Sequence, residues 1–139
     1  MDIEKAKSVL QLHKIYVRNI SFSRDVNVTR TELVYQVKRN LDRITDNQYN
    51  ISLDINVNNA DNTLTLSVSV IGLFEISEAI GDDMKKKLFE RNAVAILFPY
   101  LRSEVTLITA QPDLKPIVLP SININQMLDD IEEAELEKI

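Results

Sequence analysis

Residues 92–109 constrain the fold more than any other stretch, because they combine the pattern of an almost wholly apolar helix with an internal proline. Asn92 is expected to cap this helix, which places Pro99 in its interior. There a proline removes one backbone hydrogen bond and costs about 3 kcal/mol. The apolar residues line two sides of the helix: Val94, Leu97, Phe98, Leu101, Val105 and Ile108 on one, and Ala93, Ile96, Tyr100 and Leu107 on the other. Packing on more than one side must therefore offset the cost of the proline.

The composition is that of one globular domain. The chain has 139 residues, of which 45% are hydrophobic and 27% charged, and this suits a single core. We expect one domain over residues 1–139, with loose ends at 1–8 and 136–139. A net charge of −5, with bases interspersed among acids, argues against a nucleic-acid partner. No apolar run approaches about 20 residues and no secretory signal is evident, so we expect a cytoplasmic protein without membrane insertion.

The residue types exclude most catalytic and cofactor sites. The chain has no cysteine, one histidine (His13) and two glycines, so thiolate or histidine metal clusters and phosphate-binding glycine loops cannot be built. His13 is expected to be a polar position in a strand, with a metal or proton role as the alternative. The adjacent Asp82 and Asp83 suit the start of a short helix better than a catalytic pair, because neighbouring helical side chains diverge. We therefore predict no enzymatic activity, no metal and no cofactor.

Alternating apolar and polar residues predict four sequential antiparallel strands, at residues 9–22, 31–44, 49–58 and 63–71. Apolar residues fall on both parities of the first strand, which indicates that one face contacts a core and the other a partner. A polar stretch at 58–62 predicts a hairpin turn before the fourth strand. Gly72 interrupts the alternation of that strand, as a bulge or a sharp twist would.

The last third of the chain carries apolar residues in an unusual setting. Residues 112–124 hold three prolines beside Ile117, Val118, Leu119, Ile122 and Ile124. Because proline excludes helix there, the segment either lies flat on the core or forms the lip of an apolar groove. A final helix is predicted at 126–135, capped by Asn123 or Asn125. Its acids form either a solvated face or a docking surface for a basic partner.

Three segments resemble the SecB family of export chaperones. Residues 12–22, with Ile15-Tyr16 and Ile20-Ser21-Phe22, look like the first strand of that family. Residues 72–76 are similar to the end of its fourth strand, and residues 96–104, which begin Ile-Leu-Phe-Pro-Tyr, to the start of its long helix. The proline-bearing loop through Ile124 resembles the segment before its last helix. The resemblance covers about residues 10–128.

The resemblance implies an α+β fold, with a four-stranded antiparallel sheet followed by a long helix and a shorter C-terminal helix. It also implies an ATP-independent holdase of protein export, assembled as a dimer of dimers, that binds unfolded or non-native polypeptides in apolar grooves. The expected groove residues are Tyr35, Phe74, Ile117, Val118, Leu119, Ile122 and Met127. The expected interface residues are Tyr16, Val17, Leu97, Leu101 and Val105.

One departure from the family bears on its usual partner. The family docks onto the translocation motor SecA through acids on the outer sheet surface, and the matching positions here are the uncharged Asn19, Ser23 and Ser67. SecA is therefore an open candidate partner. The alternative function is a SecB-like chaperone or adaptor dedicated to one partner, such as an antitoxin, without delivery to the motor.

Overall fold

The structure, a computed structural model, describes residues 9–28, 32–119 and 123–137. Within these ranges the strands are β1 (Leu10–Arg24), β2 (Val34–Thr45), β3 (Gln48–Asn58) and β4 (Leu64–Ile76). The helices are α1 (Asp82–Lys87), α2 (Ala93–Thr109) and α3 (Ile124–Glu137), and a π-helical turn at Leu88–Asn92 joins the first two. The predicted fold is confirmed: a four-stranded antiparallel sheet precedes a long helix and a C-terminal helix.

The strands lie side by side in the order β1-β4-β3-β2, and all neighbours are antiparallel. Helix α2 packs across the two central strands, β3 and β4. Its side chains Leu97, Leu101 and Val105 are fully buried against the sheet, while Pro99 is exposed on the opposite side. Burial of this apolar side offsets the hydrogen bond lost at Pro99. Strands β1 and β2 end the sheet as its edge strands, and α2 lies over the two strands between them.

Two β-bulges in β1 bring its apolar residues onto one face of the sheet. The pairing with β4 shifts between Leu12 and Lys14 and again between Val17 and Asn19. Each extra residue exchanges the faces of the residues that follow. Apolar residues of both parities therefore lie opposite inward-facing residues of β4: Leu10, Leu12, Ile15, Val17, Ile20 and Phe22. The expectation of a strand apolar on both faces is wrong for most of β1, although Tyr16 remains on the outer face.

Gly72 lies in regular register on the inner face of β4. The β3–β4 pairing passes through it without a shift, so the apolar alternation stays in phase from Val70 to Phe74. A Cβ at Gly72 would lie 2.7 Å from Phe74 Cε2 and 3.0 Å from Leu97 Cδ2 of α2. The predicted bulge at this glycine is therefore wrong, because the missing side chain makes room for α2 and the Phe74 ring.

The long helix begins before Asn92. This residue has helical φ and ψ angles of −66° and −41° and makes no side-chain cap. In the π-helical turn the N–H of Ala93 donates to the carbonyl of Leu88, five residues back, and the helix continues into α1. The predicted cap is wrong because the apolar pattern marks where the buried face begins, and the helix itself begins earlier.

Candidate functional site

A groove runs between the inner face of the edge strand β2 and helix α3. It consists of two neighbouring concavities of about 440 and 410 Å³ that share Val37 and Ile131. We call it the β2–α3 groove and define it by its apolar side chains: Tyr35, Val37, Met127, Ile131 and Ala134. Its polar and charged lining consists of Gln36, Lys38, Arg39, Asn123, Gln126, Asp130 and Glu135.

The groove is open because β2 lies beyond the reach of the long helix. Helix α2 covers β3 and β4, so α3 is the helix that packs over β2. The Tyr35 side chain alternates inward on β2, opposite Val57, yet 41% of it stays exposed. Met127 and Ile131 are buried beneath α3. Met127 and Ile131 therefore form an apolar floor, and the exposed Tyr35 forms an accessible wall beside it.

Arg39 anchors α3 to β2. Its guanidinium donates to both carboxylate oxygens of Glu135, at 3.0 Å each, and lies 3.4 Å from Glu132 Oε1. It also donates to the carbonyl of Glu90 in the π-helical turn. Burial by itself favours the neutral guanidine, but the hydrogen bond and charge of Glu135, with the charges of Glu132 and Glu90, hold the pKa of Arg39 above its ordinary value. Arg39 thus joins the sheet to two helical segments.

Arg91 forms a second set of ion pairs with the same helix. Its Nη1 lies 3.0 Å from Glu132 Oε1 and 3.2 Å from Asp129 Oδ1, and its Nη2 donates to the carbonyl of Asn125. Three acids of α3 are therefore engaged within the subunit. The acidic face of the C-terminal helix is in part an intramolecular contact, which neither alternative from the sequence anticipates. At the start of α3, Asn123 Oδ1 accepts the N–H of Gln126 and caps the helix, as predicted.

The loop after α2 lies flat on the subunit. Thr109 Oγ1 accepts the N–H of Ile117 at 2.8 Å, and Thr106 Oγ1 donates to the carbonyl of Ile117 at 2.9 Å. At the far end Arg24 donates to the carbonyls of Pro112 and Asp113. Residues 110–119 of this loop do not line the β2–α3 groove, whereas Asn123 at its end does.

The structure separates the predicted groove residues. Tyr35 and Met127 lie together in the β2–α3 groove. Phe74, Ile117 and Leu119 are buried in the core instead. Phe74 lies on the inner face of β4, and hydrogen bonds with Thr106 and Thr109 hold the backbone of Ile117 against α2. Val118 is exposed but does not line the groove, and Ile122 lies outside the described residues. Sequence reasoning missed Val37 and Ile131, although both belong to apolar patterns on their elements.

The predicted interface residues also fall into two groups. Leu97, Leu101 and Val105 are fully buried in the subunit's own core, so they are not available to a second copy. Tyr16 is half exposed on the outer face of β1, and Val17 is half-buried on its inner face. The large apolar side chains that α2 leaves exposed lie on its other side: Ile96, Tyr100 and Leu107.

The outer face of the sheet is polar at its centre, where Arg18 and Asp54 are charged. A concavity of about 510 Å³ there includes Asn19 and Ser67. Ser67 donates its hydroxyl to Asn56, and Ser69 donates to Asp54, so neighbouring strands satisfy these groups. Ser23 is exposed. These positions offer no acidic cluster over the residues described.

His13 has a structural partner. It occupies the first bulge of β1, and its Nε2 lies 2.9 Å from Glu75 Oε1. Gln48 Nε2 donates to the other oxygen of the same carboxylate at 2.8 Å. These two hydrogen bonds, of which the one from His13 has the larger effect, hold the pKa of Glu75 below its ordinary value.

The described residues contain no group of three potential metal ligands placed to hold an ion. No described helix is long and apolar enough to cross a bilayer.

Comparison with a solved SecB-like structure supports the fold. The SecB-like chaperone Rv1957 of Mycobacterium tuberculosis, solved with a ChAD peptide from the antitoxin Rv1956 HigA1, superposes with a TM-score of 0.68 at 14% identity. The alignment covers 82% of this chain and 88% of that one. A protein of unknown function from Streptococcus agalactiae aligns with a TM-score of 0.49 at 13% identity, over 80% of this chain and 96% of that one.

Comparison of sequences supplies the family. An uncharacterized protein of Methanocaldococcus jannaschii is 46% identical over 79 residues, which are 56% of this chain. The match spans half the length of that curated relative. The family model of SecB, the preprotein translocase subunit, matches residues 3–135. With nearly its whole length matched and its fold in agreement, the chain belongs to the SecB family.

Proposed function

We propose that the protein is an ATP-independent chaperone, a holdase that binds non-native polypeptides in the β2–α3 groove. The observation that carries the proposal is an open groove with an apolar floor beside an edge strand, in a member of the SecB family. The exposed ring of Tyr35 gives a client side chain an accessible surface, and Met127 with Ile131 gives it a floor.

Burial of apolar area supplies the affinity in this proposal. A client side chain that removes about 100 Å² of apolar surface from water gains about 2.5 kcal/mol. Because burial is non-directional, many sequences satisfy the same groove. One groove therefore binds weakly, and stable capture needs several grooves in one assembly.

We propose a dimer of dimers as that assembly. The support is apolar surface that one subunit leaves uncovered: Tyr16 on β1, and Ile96, Tyr100 and Leu107 on α2. These side chains lie away from the β2–α3 groove, so contact between copies leaves the groove accessible. An assembly of this kind presents four grooves to one extended client.

The cellular setting follows the family in this proposal: a cytoplasmic protein that keeps clients competent for export. Docking onto SecA through acids is disfavoured, because Asn19, Ser23 and Ser67 are uncharged. The acids of α3 do not simply replace them, since Glu132 and Glu135 already pair with arginines of the same subunit.

A dedicated partner is the second candidate function. The related structure of Rv1957 was solved with a peptide of one antitoxin, and the uncharged Asn19, Ser23 and Ser67 here favour a chaperone that works without the motor. On this proposal the same groove takes a segment of a single folded or folding protein.

Light scattering tests the first proposal. A chemically denatured client is diluted into buffer without ATP, with and without one tetramer equivalent of the purified protein. Suppressed scattering for several unrelated clients supports a general holdase. No suppression for any of them rejects it, and stoichiometric capture of one partner from the native host, without binding to unfolded proteins, supports the dedicated chaperone.

A further inference from the structure

Two kinds of contact hold α3 in place, and they are adjacent on the helix, since Glu135 lies one turn after Ile131 and lines the same concavity. The apolar side chains Met127, Leu128 and Ile131 are buried beneath it. Beside them lies a set of ion pairs that we call the arginine clamp: Arg39, Arg91, Asp129, Glu132 and Glu135. The same short helix therefore supplies a wall of the groove and every acid of the clamp.

We propose that the arginine clamp is a salt-sensitive latch that sets how far α3 lies from β2 and so regulates access to the β2–α3 groove. The proposal rests on the proposed function, in that the groove is taken as the client site. Helix α3 spans 14 residues, and Arg39 and Glu135 of the clamp line the same concavity as Ile131. Displacement of the acids thus moves the groove wall as well.

The exposure of the charges makes the clamp reversible. The Arg39 side chain is only 5% exposed, but the side chains of its partners Glu132 and Glu135 are 36% and 46% exposed. Partly exposed carboxylates are screened by salt, whereas a buried guanidinium without its carboxylates is strongly disfavoured. The intermediate with α3 closed and Arg39 unpaired is therefore avoided. The helix either stays clamped or moves away and lets water reach Arg39.

Opening changes what the groove offers to a client. In the closed state Met127 and Ile131 reach the groove with only 8% and 5% exposure, and Leu128 is fully buried. Once α3 moves away, these side chains and the inner face of β2 add apolar area to the exposed part of Tyr35. Helix α3 thus acts as a built-in competitor for the surface that a client would cover, and weaker clamping favours capture.

A single introduced thiol measures this opening directly, because the natural chain has no cysteine. Leu128→Cys places the thiol beneath α3, where the native side chain is fully buried. The labelling rate with iodoacetamide is measured in this variant at low and high NaCl. It is measured again in the same variant carrying Glu132→Gln and Glu135→Gln. Glu133→Gln is the matched control, since Glu133 is exposed and forms no ion pair within the described residues.

The proposal predicts that the paired substitutions raise the labelling rate roughly three- to tenfold, the effect of losing the three ion pairs that Glu132 and Glu135 form with Arg39 and Arg91. Salt raises the rate in the Leu128→Cys protein and in the Glu133→Gln control, and has little further effect once Glu132 and Glu135 are neutral. Circular dichroism and the unfolding midpoint show that each variant remains folded. Equal labelling rates in all variants, or the same salt effect with and without the clamp acids, overturn the latch.

Client capture is measured separately, with the natural chain carrying only the two glutamine substitutions. The latch predicts that less of this variant than of the natural protein suppresses the aggregation of a denatured client. If opening is seen but capture does not improve, the clamp does not regulate the groove. If the natural protein captures no client while the thiol still reports opening, the holdase proposal fails and the movement of α3 stands.

Discussion

Thr109 Oγ1 accepts the backbone N–H of Ile117 at 2.8 Å, and the same hydroxyl donates to the carbonyl of Val105 at 2.8 Å. Thr109 is fully buried. One side chain therefore satisfies a backbone donor of the proline-bearing loop and a carbonyl of the last turn of α2. This bond turns Ile117 inward and leaves Val118 exposed.

The Thr109–Ile117 bond predicts the result of a nearly isosteric substitution. Thr109→Val keeps the shape of the side chain but leaves the buried Ile117 N–H without its acceptor, at a cost of about 1–3 kcal/mol. Urea unfolding measures this loss. Thr65→Val on the exposed outer face of β4 is the control, with an expected change within about 0.5 kcal/mol. A Thr109→Val protein as stable as the natural one would show that the hydroxyl does not hold the loop.

The space at Gly72 predicts a steric effect without backbone strain. The two glycines of the chain are outside the positive-φ region, so alanine is compatible with the backbone at both. Gly72→Ala should still destabilise the subunit by about 1–3 kcal/mol, because its Cβ would lie 2.7 Å from Phe74 Cε2. Gly81→Ala meets nothing within 4 Å and should change stability by about 0.5 kcal/mol or less. Equal effects in thermal unfolding would contradict this account of the glycine.

The hydrogen bonds to Glu75 predict a titration that NMR can follow. The pKa of this carboxyl should lie below its ordinary value of 4.5. Because the folded pKa is depressed, the stabilisation is complete above the unfolded pKa and is lost as the pH falls through the folded value. His13→Phe should raise the pKa of Glu75 more than Gln48→Leu does, since the bond from His13 is the larger cause. The reverse order would assign the main effect to Gln48.

Adjacent residues on β2 offer a matched test of the groove. Tyr35 faces the groove and Val34 faces the outer side of the sheet, with 41% and 48% of their side chains exposed. Tyr35→Ser should raise the protein concentration needed for half-suppression of client aggregation about fivefold or more, because apolar contact area is lost. Val34→Ser should leave that concentration unchanged. Equal losses in both variants would place client binding elsewhere on the subunit.

Local patterns predicted the elements well because each element carries its own period. The alternation along 49–58 predicts β3 to within one residue. In β1, apolar residues occur at both odd and even positions because the strand contains two bulges. The pattern did not say that the bulges return the apolar residues to one face, since a one-residue slip is invisible without the partner strand. The prediction of a bulge at Gly72 failed for a similar reason. A glycine is needed there because Leu97 of another element packs against that position.

The groove was harder to predict because it depends on contacts between distant residues. Arg39 and Glu135 are 96 positions apart, and nothing local to either residue indicates the pairing. Of the expected groove residues, Tyr35 and Met127 lie in one concavity, and their role in client binding is a proposal. The resemblance to SecB did not show which apolar residues the subunit buries for itself, so Phe74, Ile117 and Leu119 were included although they lie in the core.

The two sides of α2 predict opposite consequences for charged substitutions. Ile96, Tyr100 and Leu107 recur at helical spacing on the exposed side. If this side meets a second copy, Tyr100→Glu combined with Leu107→Glu should lower the mass in sedimentation equilibrium while each subunit stays folded. Val118→Glu, on the exposed loop, should leave the mass unchanged.

Leu97→Glu, on the buried side of α2, provides the contrast that gives the mass measurement its meaning. It places a charge where the native side chain is fully buried, at a cost of about 3 kcal/mol or more, so it should unfold the subunit instead of releasing a folded one. Far-UV circular dichroism separates these outcomes. An unchanged mass in the Tyr100→Glu and Leu107→Glu variant would show that copies meet through another surface, for which the β1 edge with Tyr16 is the next to test. A folded, smaller particle from Leu97→Glu would instead return the interface to the side of α2 that the sequence first indicated.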